Sequence, residues 1–168
     1  AVDGTTVYFT TTAGRLYAVD GTRRGLPLEH RLRRLILRMR LIGLPAPRLG
    51  DQTGQLWALD VGKSSTSSPL VFGDSLYVGA DDDLVAVDLV TREVLWRFRT
   101  PGPVSSSPRL AGDLVLVGSE DGSVYAVQAT TGELQWQIRT AGKVTSSAAF
   151  ALGTAFIGSH DGTLYAIE

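Results

Sequence analysis

A short motif recurs along this chain with a period of about 40 residues, and this recurrence constrains the fold more than any other feature. An alanine in the same local setting stands at positions 18, 58, 86, 126 and 166, so the successive spacings are 40, 28, 40 and 40. Trp96 and Trp136 are also 40 residues apart. Such spacing predicts consecutive copies of one supersecondary unit, each packed against the next.

Each unit is predicted to consist of four short strands. In the copy at 106–139, apolar runs at 106–112, 114–119, 123–128 and 133–139 are separated by turn residues. Asp-Gly or a lone Gly suits a tight hairpin because such turns need positive φ. Four-stranded antiparallel units of about 40 residues predict an all-β fold of propeller blades. The predicted hairpin residues are Gly14, Gly54, Asp121, Gly122, Asp161 and Gly162.

Two copies carry a more specific pattern. Residues 86–96, AVDLVTREVLW, and 126–136, AVQATTGELQW, resemble the tryptophan-docking motif of the PQQ-type (quinoprotein-like) β-propeller repeat family, which includes BamB-like scaffolds. That motif is Ala-x-Asp-x-x-Thr-Gly-x-x-x-Trp; Gln128 replaces its Asp and Arg92 its Gly. The resemblance, which covers 1–20 and 51–168, implies that each Trp packs against the neighbouring blade. The matching residues are Ala86, Asp88, Thr91, Trp96, Ala126, Thr131, Gly132 and Trp136.

The repeats amount to about four blades, whereas the resemblance implies a ring of about seven or eight. We therefore expect a partial propeller that forms part of a longer ring. The 28-residue spacing predicts that the unit containing Trp57 lacks its outer, tryptophan-bearing strand. The expected division is a partial blade at 1–20, an anomalous segment at 21–50, a partial blade at 51–61, blades at 62–100 and 101–140, and a partial blade at 141–168.

The anomalous segment 21–50 has a net charge of +7, against −8 for the rest of the chain. Gly14 and Gly54 are 40 residues apart, which predicts that no net length was inserted and raises the hypothesis of two compensating shifts of reading frame. Leu, Arg, Met and Glu are strong helix formers, so a helical or irregular segment is expected at about 28–42. Such a basic amphipathic helix suggests a membrane- or nucleic-acid-binding module as one alternative function.

Candidate chemistry is sparse. The chain has no Cys, which excludes thiolate metal sites and any Cys nucleophile. Its two His are too few for a His-rich metal site. Asp81, Asp82 and Asp83 fit either a calcium site or a hairpin turn, and their homology to the other turns favours the turn. Serines recur near each inner strand without a nucleophile elbow, which indicates small residues packed around a channel. We predict no catalytic, cofactor-binding or metal site.

The function implied by the resemblance is that of a bacterial, non-catalytic scaffold that binds a protein partner. The alternative within the family is a piece of a PQQ-dependent dehydrogenase, which uses adjacent cysteines, an Asp base and Glu/Asn calcium ligands; the absence of Cys disfavours it. Open blade faces also suggest self-association. The resemblance implies a periplasmic or extracellular location, although residues 1–10 do not resemble a signal peptide.

Overall fold

The computed structural model describes residues 1–22 and 54–168, and all regular structure in these ranges is β-strand. The strands form four antiparallel sheets, which we call blades A to D and number from the inner strand outwards. Blade A contains β1 (Val2–Asp3), β2 (Thr6–Thr10), β3 (Arg15–Asp20) and β4 (Gln55–Asp60). Blade B contains β5 (Leu70–Phe72), β6 (Ser75–Ala80), β7 (Asp83–Asp88) and β8 (Val94–Arg99). Blade C contains β9 (Arg109–Ala111), β10 (Leu114–Gly118), β11 (Ser123–Gln128) and β12 (Leu134–Arg139), and blade D contains β13 (Ala149–Ala151), β14 (Thr154–Gly158) and β15 (Leu164–Ile167).

The predicted all-β, partial-propeller architecture is confirmed. Blades A, B and C each have four strands, and each third strand pairs with its fourth through a register shift just after the recurrent alanine. That alanine faces a tryptophan in all three blades: Ala18 with Trp57, Ala86 with Trp96, and Ala126 with Trp136. In the described ranges no helix is long and apolar enough to cross a membrane.

The pairing of β4 corrects the expected position of Trp57. The sequence GQLWALD resembles a third strand, but Gln55–Asp60 pairs with Arg15–Asp20 as the outer strand of blade A. Residues 51–61 therefore do not begin a separate partial blade without an outer strand. Gly54 likewise is not a hairpin residue between second and third strands; its carbonyl accepts from the Asp20 N–H at 2.8 Å, where β4 begins.

The same pairing changes the account of the anomalous segment. The connection between the third and fourth strands spans 21–54 in blade A, but only 89–93 in blade B and 129–133 in blade C. Relative to the other blades, length has therefore been added at this connection, and the premise of the reading-frame hypothesis is wrong. The helical or irregular segment expected at 28–42 lies outside the described residues.

The core lies between consecutive blades, because blades B and C bury apolar side chains on both faces and blades A and D on the face towards their neighbour. Leu16 and Ala18 of blade A pack with Val78 and Val85 of blade B, and all four are fully buried. The opposite face of blade B packs in the same way against blade C, and blade C against blade D. This stacking is typical of repeat proteins whose units cannot bury a hydrophobic face alone.

Two glycines at the ends of second strands allow the segment that leads into the next blade to approach closely. A Cβ built on Gly79 would lie 2.4 Å from the Val104 carbonyl oxygen. On Gly118 it would lie 2.4 Å from Val144 Cγ1. Real Cβ atoms do not make contacts this short, so both positions require glycine for the blades to stack.

We expect Gly118→Ala to lower the free energy of unfolding by about 1–3 kcal/mol, because the added methyl overpacks the contact with Val144. Gly158→Ala is the matched control in blade D, where the nearest atom to the new methyl is Ser146 Oγ at 3.6 Å. That variant should stay within about 0.5 kcal/mol of the parent chain. Urea unfolding followed by tryptophan fluorescence measures both, and equal losses would contradict the packing argument.

Candidate functional site

The docking tryptophan of blade B contacts the turn between the third and fourth strands of blade C. Trp96 Nε1 donates to the Ala129 carbonyl oxygen at 3.1 Å, and Tyr77 Oη donates to the same oxygen at 3.1 Å. A Cβ on Gly132, which has φ of 77°, would lie 2.7 Å from Trp96 Cδ2. The indole therefore lies directly on the glycine backbone, and this contact links the two blades.

The remaining motif residues shape this turn and the strands beside it. Ala86 and Ala126 are fully buried opposite their tryptophans. Asp88 Oδ1 accepts from the N–H groups of Val90 at 2.7 Å and Thr91 at 2.8 Å. The bonds from Thr91 and Val90 hold the pKa of Asp88 below its usual value. In blade C, Thr131 Oγ1 accepts from the Glu133 N–H at 3.3 Å. These contacts stabilise the turn between the third and fourth strands.

The turn of blade B that faces Trp57 carries a different residue at the docking position. The residue of blade B that corresponds to Gly132 is Arg92, which has φ of 64° although it is not glycine. Trp57 packs beside Tyr8 with ring centroids 5.9 Å apart, as Trp96 packs beside Tyr77 at 5.8 Å. Trp136 is partly buried against residues of blades C and D.

The predicted hairpin residues Gly14, Gly122 and Gly162 all have positive φ between second and third strands, at 68°, 88° and 83°. Asp121 Oδ1 accepts from the Ser123 N–H at 2.7 Å, and its Oδ2 accepts from the Tyr125 hydroxyl. Burial, followed by the bond to Asp121, raises the pKa of Tyr125 to about 12. Both carboxylate oxygens of Asp121 therefore accept hydrogen bonds from residues of the same hairpin.

Asp161 repeats this arrangement in blade D. Its carboxylate accepts from the Thr163 N–H at 2.8 Å, the Tyr165 hydroxyl at 2.8 Å and the Ala141 N–H at 3.0 Å. Burial alone would raise the pKa of Asp161, but the bonds from Tyr165, Thr163 and Ala141 outweigh it and lower the pKa to about 2. The ionised form is therefore favoured in the folded state.

This shift predicts an acid-sensitive contribution to stability. The pKa of an unfolded Asp is about 3.9, so the contribution of Asp161 is present above about pH 4 and is lost as the pH falls towards 2. The carboxyl ¹³C shift of Asp161 should titrate with a midpoint near 2. Asp161→Asn should remove this part of the pH dependence of unfolding, and a midpoint near 4 would contradict the prediction.

The three consecutive aspartates each have their own partner. Asp81 accepts from the N–H groups of Lys63 at 2.8 Å and Ser64 at 2.9 Å, and these bonds, that of Lys63 first, lower its pKa. Asp82 lies 3.5 Å from Arg99 Nη2, and Asp83 lies 3.6 Å from Arg97 Nη1. The described residues contain no group of three or more potential ligands placed to hold a metal ion.

These aspartates border a polar cleft of about 480 Å³ at the hairpin end of blade B. Its rim consists of Lys63, Ser64, Asp81, Asp82, Asp83, Arg99 and Pro103. A salt bridge of 2.7 Å between Lys143 Nζ and Glu120 Oε2 extends the charged surface towards blade D. This hairpin end is therefore an exposed surface of mixed charge, and such loops are where binding residues concentrate on rigid scaffolds.

The recurrent serines hold strands together. Ser106 Oγ donates to the Gly118 carbonyl at 2.9 Å and accepts from the Gly118 N–H at 2.8 Å, and Ser146 bonds with Gly158 in the same way. Between blades, the Ser107 N–H donates to Ser147 Oγ at 2.9 Å. The sequence predicted small residues near the channel. It did not predict their hydrogen bonds, for which the repetition of Ser at equivalent positions was the one available sign.

Comparisons with known proteins agree with the repeat geometry. The family model described as outer membrane protein assembly factor BamB matches residues 48–168. BamB from Burkholderia pseudomallei (strain K96243) is 32% identical over 74 residues, which is 42% of this chain and 19% of that protein. The chain thus spans about a fifth of the length of this curated relative.

Solved structures share the fold. BamB from Moraxella catarrhalis superposes with a TM-score of 0.71 and 19% identity, covering 98% of this chain and 43% of that one. The computationally designed Ika4 protein gives a TM-score of 0.71 with 15% identity, covering 98% and 86% of the two chains. The designed Ika8 protein also gives 0.71, with 16% identity, covering 99% and 44%. Because the family model covers well over half of the chain, and its blades carry the PQQ-like docking tryptophans, this protein belongs to the BamB family of outer membrane protein assembly factors.

Proposed function

We propose that this chain is a non-catalytic, protein-binding part of a BamB-like propeller. The observation that supports this function best is the use of its polar side chains within the fold. The Ser106 hydroxyl completes backbone hydrogen bonds, and Asp81, Asp121 and Asp161 accept hydrogen bonds within or beside their own turns. A nucleophile or general base needs a group that is free to reach a substrate.

We further propose the hairpin end of the blades as the surface that the partner contacts. This end carries the polar cleft and charged side chains of both signs, among them Lys63, Asp82 and Glu120. The names of the relatives point to the assembly of outer membrane proteins, so the proposed partner is a polypeptide of that assembly system. The corresponding compartment is the periplasm.

The test measures binding of an outer membrane β-barrel protein, diluted from denaturant, to the immobilised chain. We expect saturable binding that weakens at least tenfold in Asp82→Arg. The matched control is Asp113→Arg, which makes the same charge change in the exposed turn at the opposite end of blade C. Equal affinity of both variants and the parent would reject the hairpin end, and absence of saturable binding would reject the proposed partner.

A second measurement addresses turnover. The chain is mixed with PQQ, Ca²⁺ and a primary alcohol in the presence of an electron-accepting dye. A non-catalytic module leaves both the quinone absorbance and the dye unchanged. Reduction of the dye above the rate without protein would instead favour the dehydrogenase alternative.

A further inference from the structure

The two ends of the blades differ in charge. At the hairpin end, Arg15, Arg97, Arg99 and Lys143 each form a salt bridge with a carboxylate of that end. The opposite end, which we call the turn end, consists of the turns between first and second strands and between third and fourth strands. Among the described residues of blades A to C, seven acidic side chains lie in or directly beside these turns, against one basic side chain, Arg92. The seven are Asp3, Asp20, Asp74, Asp88, Glu93, Asp113 and Glu133.

Three of the turn-end carboxylates are accessible to a ligand. The side chains of Asp74, Glu93 and Glu133 are exposed, and none of them forms a hydrogen bond or ion pair with another described residue. The Leu89 N–H donates to the Asp74 carbonyl oxygen at 2.8 Å, so the two turns of blade B are adjacent. Carboxylates grouped without basic neighbours create a negative potential that attracts a cationic ligand.

Apolar side chains are exposed beside these carboxylates in blade B. Phe72, the last residue of β5, is 50% exposed, and Val90, in the turn that follows β7, is 72% exposed. The equivalent residues of blade C are the smaller Ala111 and the polar Thr130. A surface that combines exposed apolar groups with carboxylates suits a ligand that carries both apolar and basic side chains.

The anomalous segment 21–50 has this composition, and the chain joins it to the fold at the turn end. The segment is rich in Leu and carries eight Arg against one acidic residue. The Gly21 N–H donates to the Thr5 carbonyl oxygen at 2.7 Å, and the Asp20 N–H donates to the Gly54 carbonyl oxygen at 2.8 Å. Both ends of the connection are therefore fixed at the turn end of blade A.

The length of this connection allows it to reach the neighbouring blades. Half of it, about 15 residues, can extend about 50 Å, whereas stacked sheets lie about 10 Å apart. A ligand tethered so close to its surface has an effective concentration in the millimolar range, so several individually weak charge pairs suffice to hold it.

We propose that the turn end of blades B and C is the docking surface of this chain's own anomalous segment 21–50. Its arginines pair with the exposed carboxylates of the turn end, and its leucines cover Phe72 and Val90. The opposite net charges of the segment and of the rest of the chain, +7 and −8, then belong to one intramolecular contact. The surface lies at the other end of the blades from the one proposed for the protein partner, so either proposal can fail without the other.

Trypsin digestion of the full chain measures the docking, because cleavage after the eight Arg of the segment tracks the fraction of molecules in which it is undocked. We expect slow cleavage at low salt and faster cleavage in about 1 M salt, where the Debye length is about 3 Å. A synthetic peptide of residues 21–50, digested alone at each salt concentration, corrects for the effect of salt on trypsin. Cleavage of the chain at low salt as fast as that of the free peptide would overturn the proposal.

Neutralised carboxylates test which end of the blades is used. The double variant Asp74→Asn, Glu93→Gln should be cleaved in the segment about fivefold faster than the parent at low salt, since each lost charge pair weakens docking. The control Asp82→Asn, Glu120→Gln makes the same change of net charge at the hairpin end and should be cleaved like the parent. Circular dichroism checks that both variants fold. Equal cleavage rates of the two variants would overturn the proposal.

The apolar part of the contact has its own matched pair. Phe72→Ser should also be cleaved severalfold faster in the segment than the parent. Leu95→Ser, at an equally exposed position of the outer strand β8, should not change the rate. Equal rates for these two variants would show that leucine contacts at blade B do not contribute, which contradicts the proposed surface.

A spin label locates the segment without weakening the contact. The chain has no cysteine, so Leu37→Cys can carry a single nitroxide. We expect the label to broaden the amide signals of Asp74 and Glu133 much more than those of Asp82 and Glu120. Stronger broadening at the hairpin end, or none, would overturn the proposal. Broadening of an unlabelled ¹⁵N chain mixed with labelled ¹⁴N chain would assign the contact to a second copy and would also overturn it.

Discussion

Replacing Trp96 by alanine is expected to lower the free energy of unfolding by about 3–5 kcal/mol, the range for large aromatic side chains. The indole connects blade B to the Gly132 turn of blade C and donates a hydrogen bond to Ala129. Its removal leaves a cavity between two blades and takes one hydrogen bond from the Ala129 carbonyl, which still accepts from the Tyr77 hydroxyl. Urea unfolding followed by circular dichroism measures the loss.

Trp57→Ala is the matched control, since Trp57 occupies the equivalent position in blade A but the residue of blade B that corresponds to Gly132 is Arg92. We expect a smaller loss of about 1–2 kcal/mol. Gly132→Ala tests the same contact from the other side, and its effect should be less than additive with Trp96→Ala because the two residues touch. Similar losses for the two tryptophans would show that docking on the turn is not the source of the stability.

The docking contact shows what the repeat makes predictable. The period identified equivalent positions in consecutive units, and the resemblance supplied the function of Trp96 within the fold. Both depend on short-range patterns that are the same in each blade. The packing of Trp96 on Gly132 follows because a glycine in a turn of positive φ leaves room for a large ring.

Trp57 shows where the same reasoning failed. Its segment GQLWALD aligns without a gap with the third-strand sequence GRLYAVD and shares its Gly, Leu, Ala and Asp, and strand alternation is the same for third and fourth strands. The useful signal was the Gly-Lys pair that follows: Gly62-Lys63 comes shortly after Trp57, as Gly142-Lys143 comes shortly after Trp136. That order places Trp57 in an outer strand, which is the position that the pairing with Ala18 shows.

The serines show a limit of a different kind. A hydroxyl that replaces a strand partner cannot be distinguished in sequence from one that is merely small enough for a crowded channel. The distinction depends on β9 beginning at Arg109, which leaves the Gly118 N–H and carbonyl beyond the end of the regular ladder. Ser106 satisfies both groups with one side chain, so its importance is a property of the tertiary structure.

Ser106→Ala is therefore expected to lower the free energy of unfolding by about 2–6 kcal/mol, because two buried backbone groups lose their partner at about 1–3 kcal/mol each. Ser146→Ala is the matched control: it makes the same two bonds to Gly158, but it is only partly buried. Water can replace a hydroxyl at such a site, so its loss should be smaller.

Hydrogen exchange adds a local readout to this comparison. The Gly118 amide should exchange much faster in Ser106→Ala than in the parent chain, while the amides of β12 at the outer edge change little. This pattern would show that only the two hydrogen bonds between Ser106 and Gly118 are lost. A general destabilisation of blade C would instead accelerate exchange in all four of its strands. An unchanged Gly118 amide, or equal destabilisation by the two serine variants, would contradict the assignment of Ser106 as the group that completes the inner ladder.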